Sequence, residues 1–487
     1  MDSRPLPSPL HHPAASRSGA KRGWREILTW VLLLFALWRG LAMVMHAPLI
    51  ALANNYDQVR YTACFNLYPV RPGVPPTQLN YQAPLDIYAF QSVPDQSCYL
   101  TSDLIFQGSA VGIFRLNETL GGSTEHSVRV LGGLRLVAWI LAVFLFGRAF
   151  RREGRSDLAI ANAAWFAALG TDPVNSILLD SFYAEAGAVF FAYCTVGLLV
   201  LNSLRMTGLR LSLLGFATLA LGTVKVQHAA LPLFMAAAMT LVALSRERRL
   251  WPIVGVLMLS AATALVIQNW QMQRSNAMTD SIRLANNVDF VLSALLPASD
   301  DASRTASRLG LDPLCAKSSG RSIYTLGEPP EQACPGISQV SRLRSFKLVL
   351  TEPATVLGML GGVPGEILPW IPSYLGLVEG ETVAPLPDEF ISVNRLFDHR
   401  SVLAWLALLS PLVIGAWLLL RRHASAASRT FSAACATIAI TVPIVSVYGD
   451  GMAEIAKHAH LALNAGCAFL LMGAISLACR NSHRHVT

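Results

Sequence analysis

Residues 251–270 read WPIVGVLMLSAATALVIQNW, an apolar run without a single Asp, Glu, Lys or Arg. An α-helix rises about 1.5 Å per residue, so a run of this length crosses the roughly 30 Å hydrocarbon core of a bilayer. Further apolar runs lie at residues 27–48, 129–147, 158–171, 182–202, 211–224, 229–244, 402–420, 430–448 and 455–478. The runs at 158–171 and 211–224 are short and would need tilt, a thinner bilayer or burial among neighbours. We predict an all-α fold, a polytopic transmembrane bundle of about ten helices with two larger periplasmic loop regions.

The composition of the whole chain supports this prediction. Of its 487 residues 53% are hydrophobic and only 14% are charged, whereas about a quarter of the residues of a soluble domain are charged. Half of the basic residues, 19 of 38, lie in six clusters beside apolar runs: Arg4/Arg17/Lys21/Arg22/Arg25, Arg148/Arg151/Arg152/Arg155, Arg205/Arg210, Arg246/Arg248/Arg249, Arg421/Arg422/Arg429 and Arg480/Arg484. Such clusters mark cytoplasmic loops. We therefore expect the lipid bilayer, and no nucleic acid, as partner, with both chain ends on the cytoplasmic side of a bacterial inner membrane.

The runs and clusters divide the chain into four regions. Residues 1–26 are rich in Pro, Ser and His, which predicts a disordered basic cytoplasmic N-terminus. Residues 27–270 would form a transmembrane core of seven helices with a first periplasmic loop at 49–128, residues 271–401 a second periplasmic region, and residues 402–487 the last three helices. Within the second region, residues 353–377 are apolar but carry prolines at 364, 369 and 372. This predicts an interfacial or re-entrant segment instead of a further span.

Four of the eight cysteines fall into the two outer regions. Cys64 and Cys98 lie in the first region, and Cys315 and Cys334 lie in the second. Cysteines that occur in pairs in outer loops are typical of disulfides in an oxidising compartment, so we predict these two bonds. No Cys/His spacing of a zinc site occurs.

The first polar cluster follows helix one directly and reads NNYDQVR at residues 54–60. Asp57, held at the membrane rim, could ionise and act as general base toward a hydroxyl of a lipid-borne substrate. Arg60, three residues on, could share its helical face and steady it or bind a phosphate. Asn54 and Asn55 could instead build an Asx-type turn that ends the helix. The spacing leaves both interpretations open.

The second cluster, at residues 172–185, links the short third run to the fourth. Asp172 lies at its start, and Asp180, Tyr183 and Glu185 lie at its end. Asp180 could simply cap the following helix, with Glu185 in its first turn. Glu185 is followed by a wholly apolar run, however, where a carboxylate is costly unless it lines a wet cavity.

The third cluster is the tight outer turn that contains Lys225, Gln227 and His228. Lys225 could merely extend its ammonium to the interface. The three side chains together would also suit an anionic headgroup. Arg39, inside helix one, should face the bundle and meet an acid or a phosphate, because an unpaired cation is costly there.

The fourth cluster opens the last helix and contains Asp450, Glu454, Lys457 and His458. Ion pairs of Glu454 with Lys457 or His458 across one helical turn are a sufficient structural reason for part of it. Four ionisable residues that enter the membrane so close together are not typical of a plain anchor. Elsewhere the chain has no GxGxxG, GxxxxGK[ST], GxSxG or HExxH motif.

The layout of these clusters resembles the GT-C superfamily of polytopic glycosyltransferases, which use sugars carried on polyprenyl phosphates. The NNxDxxR stretch, SFYAE at 181–185, KxQ at 225–227 and GDGMAEIAKH at 449–458 are similar to bacterial surface-glycan hexose transferases. The resemblance implies inverting transfer of a hexose to a glycan, lipid or protein acceptor on the periplasmic face, with Asp57 as the catalytic base. Many relatives carry two adjacent acids in the first loop, whereas Asp57 stands alone here.

On this interpretation the phosphate of the donor would lie among cationic side chains, namely Lys225, His228, Arg60 and Lys457/His458. No cofactor is implied, although Asp172 and Asp180 could supply oxygen ligands to a divalent ion. The alternative function is a transporter or flippase for a lipid-linked glycan, which predicts internal repeats and polar residues at mid-membrane. We find no repeat, and the charges collect at the outer rim, which favours the enzyme.

Overall fold

The computed structural model describes residues 17–484, apart from 54–55, 72–81, 94–96, 246, 275, 373–374, 383, 398–399 and 422; side chains are described over the same residues except 17–22, 56 and 477–484. Of the stretch predicted to be disordered, residues 1–16 lie outside the described residues, and from Arg17 onward the chain is already helical. The sequence contains no proline between Pro13 and Pro48, so nothing in this stretch interrupts the helix that leads into the first span.

Helices make up most of the described chain, as predicted. The first half contains α1 (Arg17–Val44), α2 (Tyr56–Thr62), α3 (Leu104–Thr119), α4 (Arg129–Arg152), α5 (Ser156–Trp165), α6 (Pro173–Ser176), α7 (Glu185–Leu204), α8 (Gly208–Val224), α9 (Leu231–Ser245) and α10 (Trp251–Gln273). The second half contains α11 (Ala277–Val288), α12 (Leu296–Ala298), α13 (Ala302–Leu309), α14 (Pro330–Ala333), α15 (Arg342–Thr351), α16 (Pro353–Glu366), α17 (Asn394–Phe397), α18 (Ser401–Leu420), α19 (Ala426–Asp450), α20 (Ile455–His458) and α21 (His460–Arg484).

Seven helices within the described residues are long and apolar enough to cross a membrane: Gly23–Val44, Arg129–Arg152, Glu185–Leu204, Val226–Ser245, Arg248–Gln273, Ser401–Leu420 and Ala426–Asp450. The predicted number of about ten is therefore too high by this measure. The run at 455–478 forms α20 and the first part of α21, of which His460–Ser476 is the apolar part. The runs at 158–171 and 211–224 form the shorter helices α5 and α8. Helices of this length fall short of the roughly 30 Å of hydrocarbon, and α5 and α8 pack against longer neighbours, α4 and α10 respectively. The chain is a multi-pass membrane protein of the predicted all-α class.

The predicted re-entrant segment, residues 353–377, begins with α16, which follows α15 at a sharp bend. The helices α15 and α16 are apolar enough to count together as a span, but they meet at 99°. The break falls at Glu352, whose backbone is not helical (φ −124°, ψ 70°), because the ring of Pro353 disfavours a helical conformation in the residue before it. If this pair is one span, the number rises to eight.

A small antiparallel sheet, which the sequence did not predict, lies in the first outer region. The strands β1 (Leu67–Pro69), β2 (Ile87–Phe90) and β3 (Glu125–Ser127) are hydrogen-bonded in the order β1-β2-β3. The register pairs Tyr68 with Ala89 and Tyr88 with His126. Strands of three or four residues are too short to show a clear alternation of apolar and polar side chains.

Both predicted cysteine pairs are disulfide-bonded in the structure, Cys64 to Cys98 and Cys315 to Cys334. The first bond joins the residues that follow α2 to the segment before α3. It therefore limits where α2, which carries Asp57, can lie.

The bundle is organised around α19, the most buried of the seven spans. It packs against α7, α9, α18 and α21. The C-terminal ends of α8 and α19 and the N-terminal end of α7 meet α2 and α20 at one end of the bundle, as the side-chain contacts described below show. We call this the charged end.

Candidate active site

Asp57 lies at the centre of the charged end, between two cations. Its Oδ1 is 3.0 Å from Nη2 of Arg60, one helical turn along α2. Its Oδ2 accepts a hydrogen bond from the Lys457 ammonium at 2.5 Å. The Asp57 side chain remains 20% exposed, whereas that of Lys457 is 2% exposed. The carboxylate can therefore be reached from solvent, while the lysine that binds it cannot.

The charge state of Asp57 follows from these neighbours. Burial opposes the charge, but Arg60, Lys457 and Lys225 outweigh it and hold the pKa of the Asp57 carboxyl well below its ordinary value. The converse holds for Arg60: burial works against its charge, yet Asp57 raises the pKa of the guanidinium well above its ordinary range. The shifts of Asp57 and Arg60 therefore favour the carboxylate and the guanidinium in their charged forms.

Glu454 and Tyr183 complete the surroundings of Lys457. Its ammonium lies 2.7 Å from Oε2 of Glu454, as the sequence predicted for this turn, and 5.7 Å from the centre of the Tyr183 ring, within cation–π range. Glu454 has φ +54°, in the left-handed region. Such a conformation is uncommon for a residue other than glycine and is often found at functional sites.

Asp450, at the end of α19, binds two of the other predicted residues. Gln227 donates a hydrogen bond to its Oδ2, and Nε2 of His458 lies 3.2 Å from the same oxygen. Burial lowers the pKa of the His458 imidazole well below its ordinary value, and Lys225 and Lys457 add to this. His458 is therefore a neutral side chain that can hydrogen-bond, and not a third cation for a phosphate.

Glu185 and Lys225 form a buried ion pair beside Asp57. The Lys225 ammonium lies 2.5 Å from Oε1 of Glu185, and both side chains are 7% exposed. His228 is also buried. The sequence left open whether Lys225 extends to the interface. In the structure Lys225 and His228 are both buried, because α8 ends at Val224 and the turn folds back onto α7.

A small cavity lies between Glu185 of this pair and Lys457 of the fourth cluster. Glu185, Lys457, His460, Trp370 and Pro372 are among the residues that line it. The Oε2 atom of Glu185 has no hydrogen-bond partner among the described residues. Glu185 and Lys457 line the same cavity, so the two ion pairs belong to one site. That water surrounds Glu185, as the sequence suggested, stays a prediction.

Asp172 lies outside this site and has a structural role. Its carboxylate lies 2.6 Å from the guanidinium of Arg39. Asp172 is therefore the acidic partner that the sequence predicted for Arg39. Its Oδ1 also accepts from the Val174 amide at the start of α6 and from the Ser392 hydroxyl. Asp172 therefore caps a helix and ties α1 to the segment before α17.

Asp180 also lies away from the cluster, packed against Gly132 of α4. Neither of its carboxyl oxygens has a hydrogen-bond partner among the described residues. Burial raises the pKa of Asp180 well above its ordinary value. A shared cation site of Asp172 and Asp180 does not fit these surroundings, and no group of three or more His, Cys, Asp or Glu suited to a metal occurs in the described parts of the chain.

The other predicted site residues, Asn54 and Asn55, lie outside the described residues. Whether they form the turn that the sequence suggested therefore stays a prediction.

Residues 20–335 match the model of the YfdI N-terminal transmembrane domain family. The chain belongs to this family. The matched part is well over half of the chain and includes Asp57, Glu185 and Lys225, whereas Asp450, Glu454 and Lys457 follow it. The YfdI-family domain therefore supplies one half of the charged end, and the C-terminal helices supply the other. No curated protein sequence matches the chain.

Several residues of the charged end escaped the sequence analysis. In the YfdI-family domain, the guanidinium of Arg60 lies 5.2 Å from the ring centre of Tyr61 and 5.5 Å from that of Tyr99. Trp370, from the segment after α16, donates a hydrogen bond to His460, which in turn lies 2.8 Å from the Asn175 side chain. The sequence feature that could have pointed to these residues is the presence of polar side chains within apolar stretches.

A further site residue, Asp289, begins a π-helical stretch (Asp289–Leu295) of the YfdI-family domain. Its Oδ1 accepts a hydrogen bond from the Ile323 amide at 2.7 Å. Burial raises the pKa of Asp289 to about 7, and the nearby Asp450 and Glu454 add to this. Asp289 therefore titrates near neutral pH.

A large apolar cavity of about 620 Å³ runs through the membrane part, between α5, α7, α18, α19 and α21. Near the charged end it is lined by Val189 and Asn464, which lie one helical turn after Glu185 and His460 respectively. Toward the opposite end it is lined by Arg155 and Ser428. Arg155 is bound by the carboxylate of Asp157 at 2.7 Å. An ion pair therefore lies near each end of the cavity, Arg155 with Asp157 at this end and Lys225 with Glu185 at the charged end.

Proposed function

We propose that this YfdI-family protein is a glycosyltransferase that moves a hexose from a polyprenyl-phosphate donor to a glycan, lipid or protein acceptor, with inversion at the anomeric carbon, as GT-C enzymes do. The observation that carries the proposal is the position of Asp57: a carboxylate kept ionised between Arg60 and Lys457, open to solvent, at the end of a membrane bundle.

The proposed step uses these groups as follows. An acceptor hydroxyl oxygen forms the new bond to the anomeric carbon while the bond from that carbon to the phosphate oxygen breaks. The hydroxyl proton passes to Asp57, and the polyprenyl phosphate leaves with the bonding electrons. Cations placed where the negative charge develops stabilise this transition state, and Arg60 and Lys457 are the cations nearest to the base.

The lowered pKa of Asp57 makes it a weak base at rest. Two effects offset this. The acceptor hydroxyl becomes more acidic as its oxygen bonds to carbon, so the proton transfers late. A donor phosphate bound near Arg60 and Lys457 would also counter the positive charge that lowers the pKa of Asp57.

The apolar cavity supports a lipid-linked donor. Its walls come from helices of the membrane part, so its occupant comes from the bilayer. An isoprenoid chain is apolar and long enough to follow it.

The positions of the basic residues support a periplasmic site in an inner membrane. The helix α7 has Glu185 at the charged end and Arg205 after its other end. The helix α19 likewise ends at Asp450 in the site, and Arg421 precedes its start. Under the positive-inside rule the arginine-bearing ends lie in the cytoplasm and the charged end lies outside.

The test is transfer by the purified full-length chain in nanodiscs, supplied with synthetic polyprenyl-phosphate glucose, galactose or mannose and with envelope glycolipids as acceptors. We expect release of polyprenyl phosphate together with a product that is one hexose heavier by mass spectrometry. Unaltered donor in every reaction, combined with movement of a fluorescent lipid-linked glycan between leaflets, would show a flippase instead.

A further inference from the structure

A loop closed by the second disulfide carries an aromatic side chain to the charged end. The bond Cys315–Cys334 closes this loop. The amide of Gly320 donates to the Leu292 carbonyl at 2.7 Å, and the amide of Ile323 donates to Asp289 at 2.7 Å. The loop is therefore anchored on the π-helical stretch beside the site through two backbone amides that lie three residues apart.

Tyr324 lies at the tip of this anchored loop and has an uncommon combination of contacts. Its hydroxyl donates a hydrogen bond to Oε2 of Glu454 at 3.3 Å, the same oxygen that contacts Lys457. The residue is nevertheless 71% exposed. The polar end of the side chain is thus bound at the site, while much of the ring remains open to solvent.

Packing does not explain this arrangement. A tyrosine that serves stability normally buries its ring and leaves the hydroxyl at the surface, and Tyr324 does the opposite. No aromatic ring or cation lies against its ring in the described parts of the chain. A flat, apolar, solvent-facing surface is therefore held three contacts away from Asp57, by way of Glu454 and Lys457.

We infer that Tyr324 is a stacking platform for a pyranose ring of the acceptor glycan, an inference that rests on the proposed function. One face of a pyranose presents C–H groups that pack against an aromatic ring, and its hydroxyl edge would reach the carboxylates of Glu454 and Asp450. The donor is a less suitable ligand, because its phosphate and lipid chain belong to the buried cations and the apolar cavity. Tyr324 comes from the large outer region between α10 and α18, where a glycan arrives from water.

The experiment has a binding arm and a kinetic arm, both on the full chain in nanodiscs. Saturation-transfer NMR with methyl α-glucoside, galactoside, mannoside and rhamnoside reports which sugar protons approach the protein. Transfer from synthetic polyprenyl-phosphate hexose to the acceptor that wild type uses gives separate acceptor and donor KM values. The variants are Tyr324→Ala, Tyr324→Leu, which keeps apolar bulk without a flat ring, and Tyr324→Phe, which keeps the ring. Leu314→Ala changes an exposed apolar side chain of the neighbouring turn and is the matched control.

We expect Tyr324→Ala and Tyr324→Leu to raise the acceptor KM roughly tenfold, to leave the donor KM unchanged, and to weaken saturation transfer to the C–H face. Tyr324→Phe and Leu314→Ala should stay close to wild type. An unchanged acceptor KM and unchanged saturation transfer in Tyr324→Ala would overturn the inference while leaving the proposed function intact. Sugar binding that depends on Tyr324, without transfer by any variant or by wild type, would support the platform and refute the transferase.

Discussion

The ammonium of Lys457 binds the carboxylate of Asp57 at 2.5 Å, although 400 positions of sequence separate the two residues. The contact joins α2, just after the first span, to α20, just before the last helix. It closes the charged end of the bundle. Asp57 lies within the part that matches the YfdI family and Lys457 lies after it, so the site needs both parts of the chain.

Asp57→Asn should abolish most of the transfer, because the amide keeps the shape of the side chain but cannot accept the proton. General-base assistance is worth about 10²–10⁴ in rate, and kcat should fall by that amount. Mass analysis of product against time measures it. Asp157→Asn, at the opposite end beside Arg155, is the control and should stay active. If Asp57→Asn kept more than about a tenth of the wild-type rate, base catalysis by this residue would be untenable.

Lys457→Gln should move the pH dependence of transfer. In the wild type, Arg60 and Lys457 hold the pKa of Asp57 well below its ordinary value against the effect of burial, so Asp57 stays ionised as the pH falls through the ordinary range of aspartate, about 4. Without Lys457, burial acts against Arg60 and more distant charges alone, and the pKa of Asp57 rises.

The acid limb of kcat/KM should therefore shift to higher pH in Lys457→Gln. Stability should depend on pH in the same direction as activity. The ion pair of Asp57 stabilises the wild type above the unfolded pKa of Asp57, and this stabilisation is lost as the pH falls through the lowered folded pKa. The exposed Arg115→Gln, with a side chain 54% exposed, serves as control. Superimposable pH profiles for Lys457→Gln and the wild type would contradict the proposed coupling.

In a double-mutant cycle, the buried pair of Glu185 and Lys225 should show a coupling in the free energy of unfolding. Lys225→Met leaves the Glu185 carboxylate buried without its cation, and breaking such a pair costs about 3–5 kcal/mol. Glu185→Gln together with Lys225→Met removes both charges and should be less destabilising than Lys225→Met alone. Thermal unfolding in detergent measures the difference. Additive effects of the two substitutions would mean that the two charges are not coupled.

The disulfide between Cys64 and Cys98 should matter for activity as well as for stability. It closes a loop with a sequence separation of 34 residues, and a loop of this size is worth roughly 3–4 kcal/mol in the chain-entropy model. Replacing both cysteines with serine should lower the unfolding temperature and loosen α2, which carries Asp57, so kcat should fall. Cys194→Ser, at a free thiol, is the matched control. Free-thiol labelling of Cys64 and Cys98 in intact cells would show that the bond does not form there.

Local patterns were enough to predict part of this architecture. A run such as 251–270 specifies a membrane helix, because its apolar side chains alone decide which solvent it prefers. The contact of Asp57 with Arg60 follows from a spacing of one helical turn, and the paired cysteines follow from their positions in two outer regions.

Tertiary structure decided the remainder, because each remaining feature depends on which distant residues meet. The helix α8 is only 17 residues long, and its packing against α7 and α10 cannot be inferred from its own apolar pattern. Asp172 and Asp180 looked alike in sequence, yet Arg39 binds the first and burial raises the pKa of the second. Lys457 reaches Asp57 only because α2 and α20 meet. Charge and spacing in the sequence determined which residues prefer the rim of the membrane, whereas packing over hundreds of residues determined which of them became neighbours.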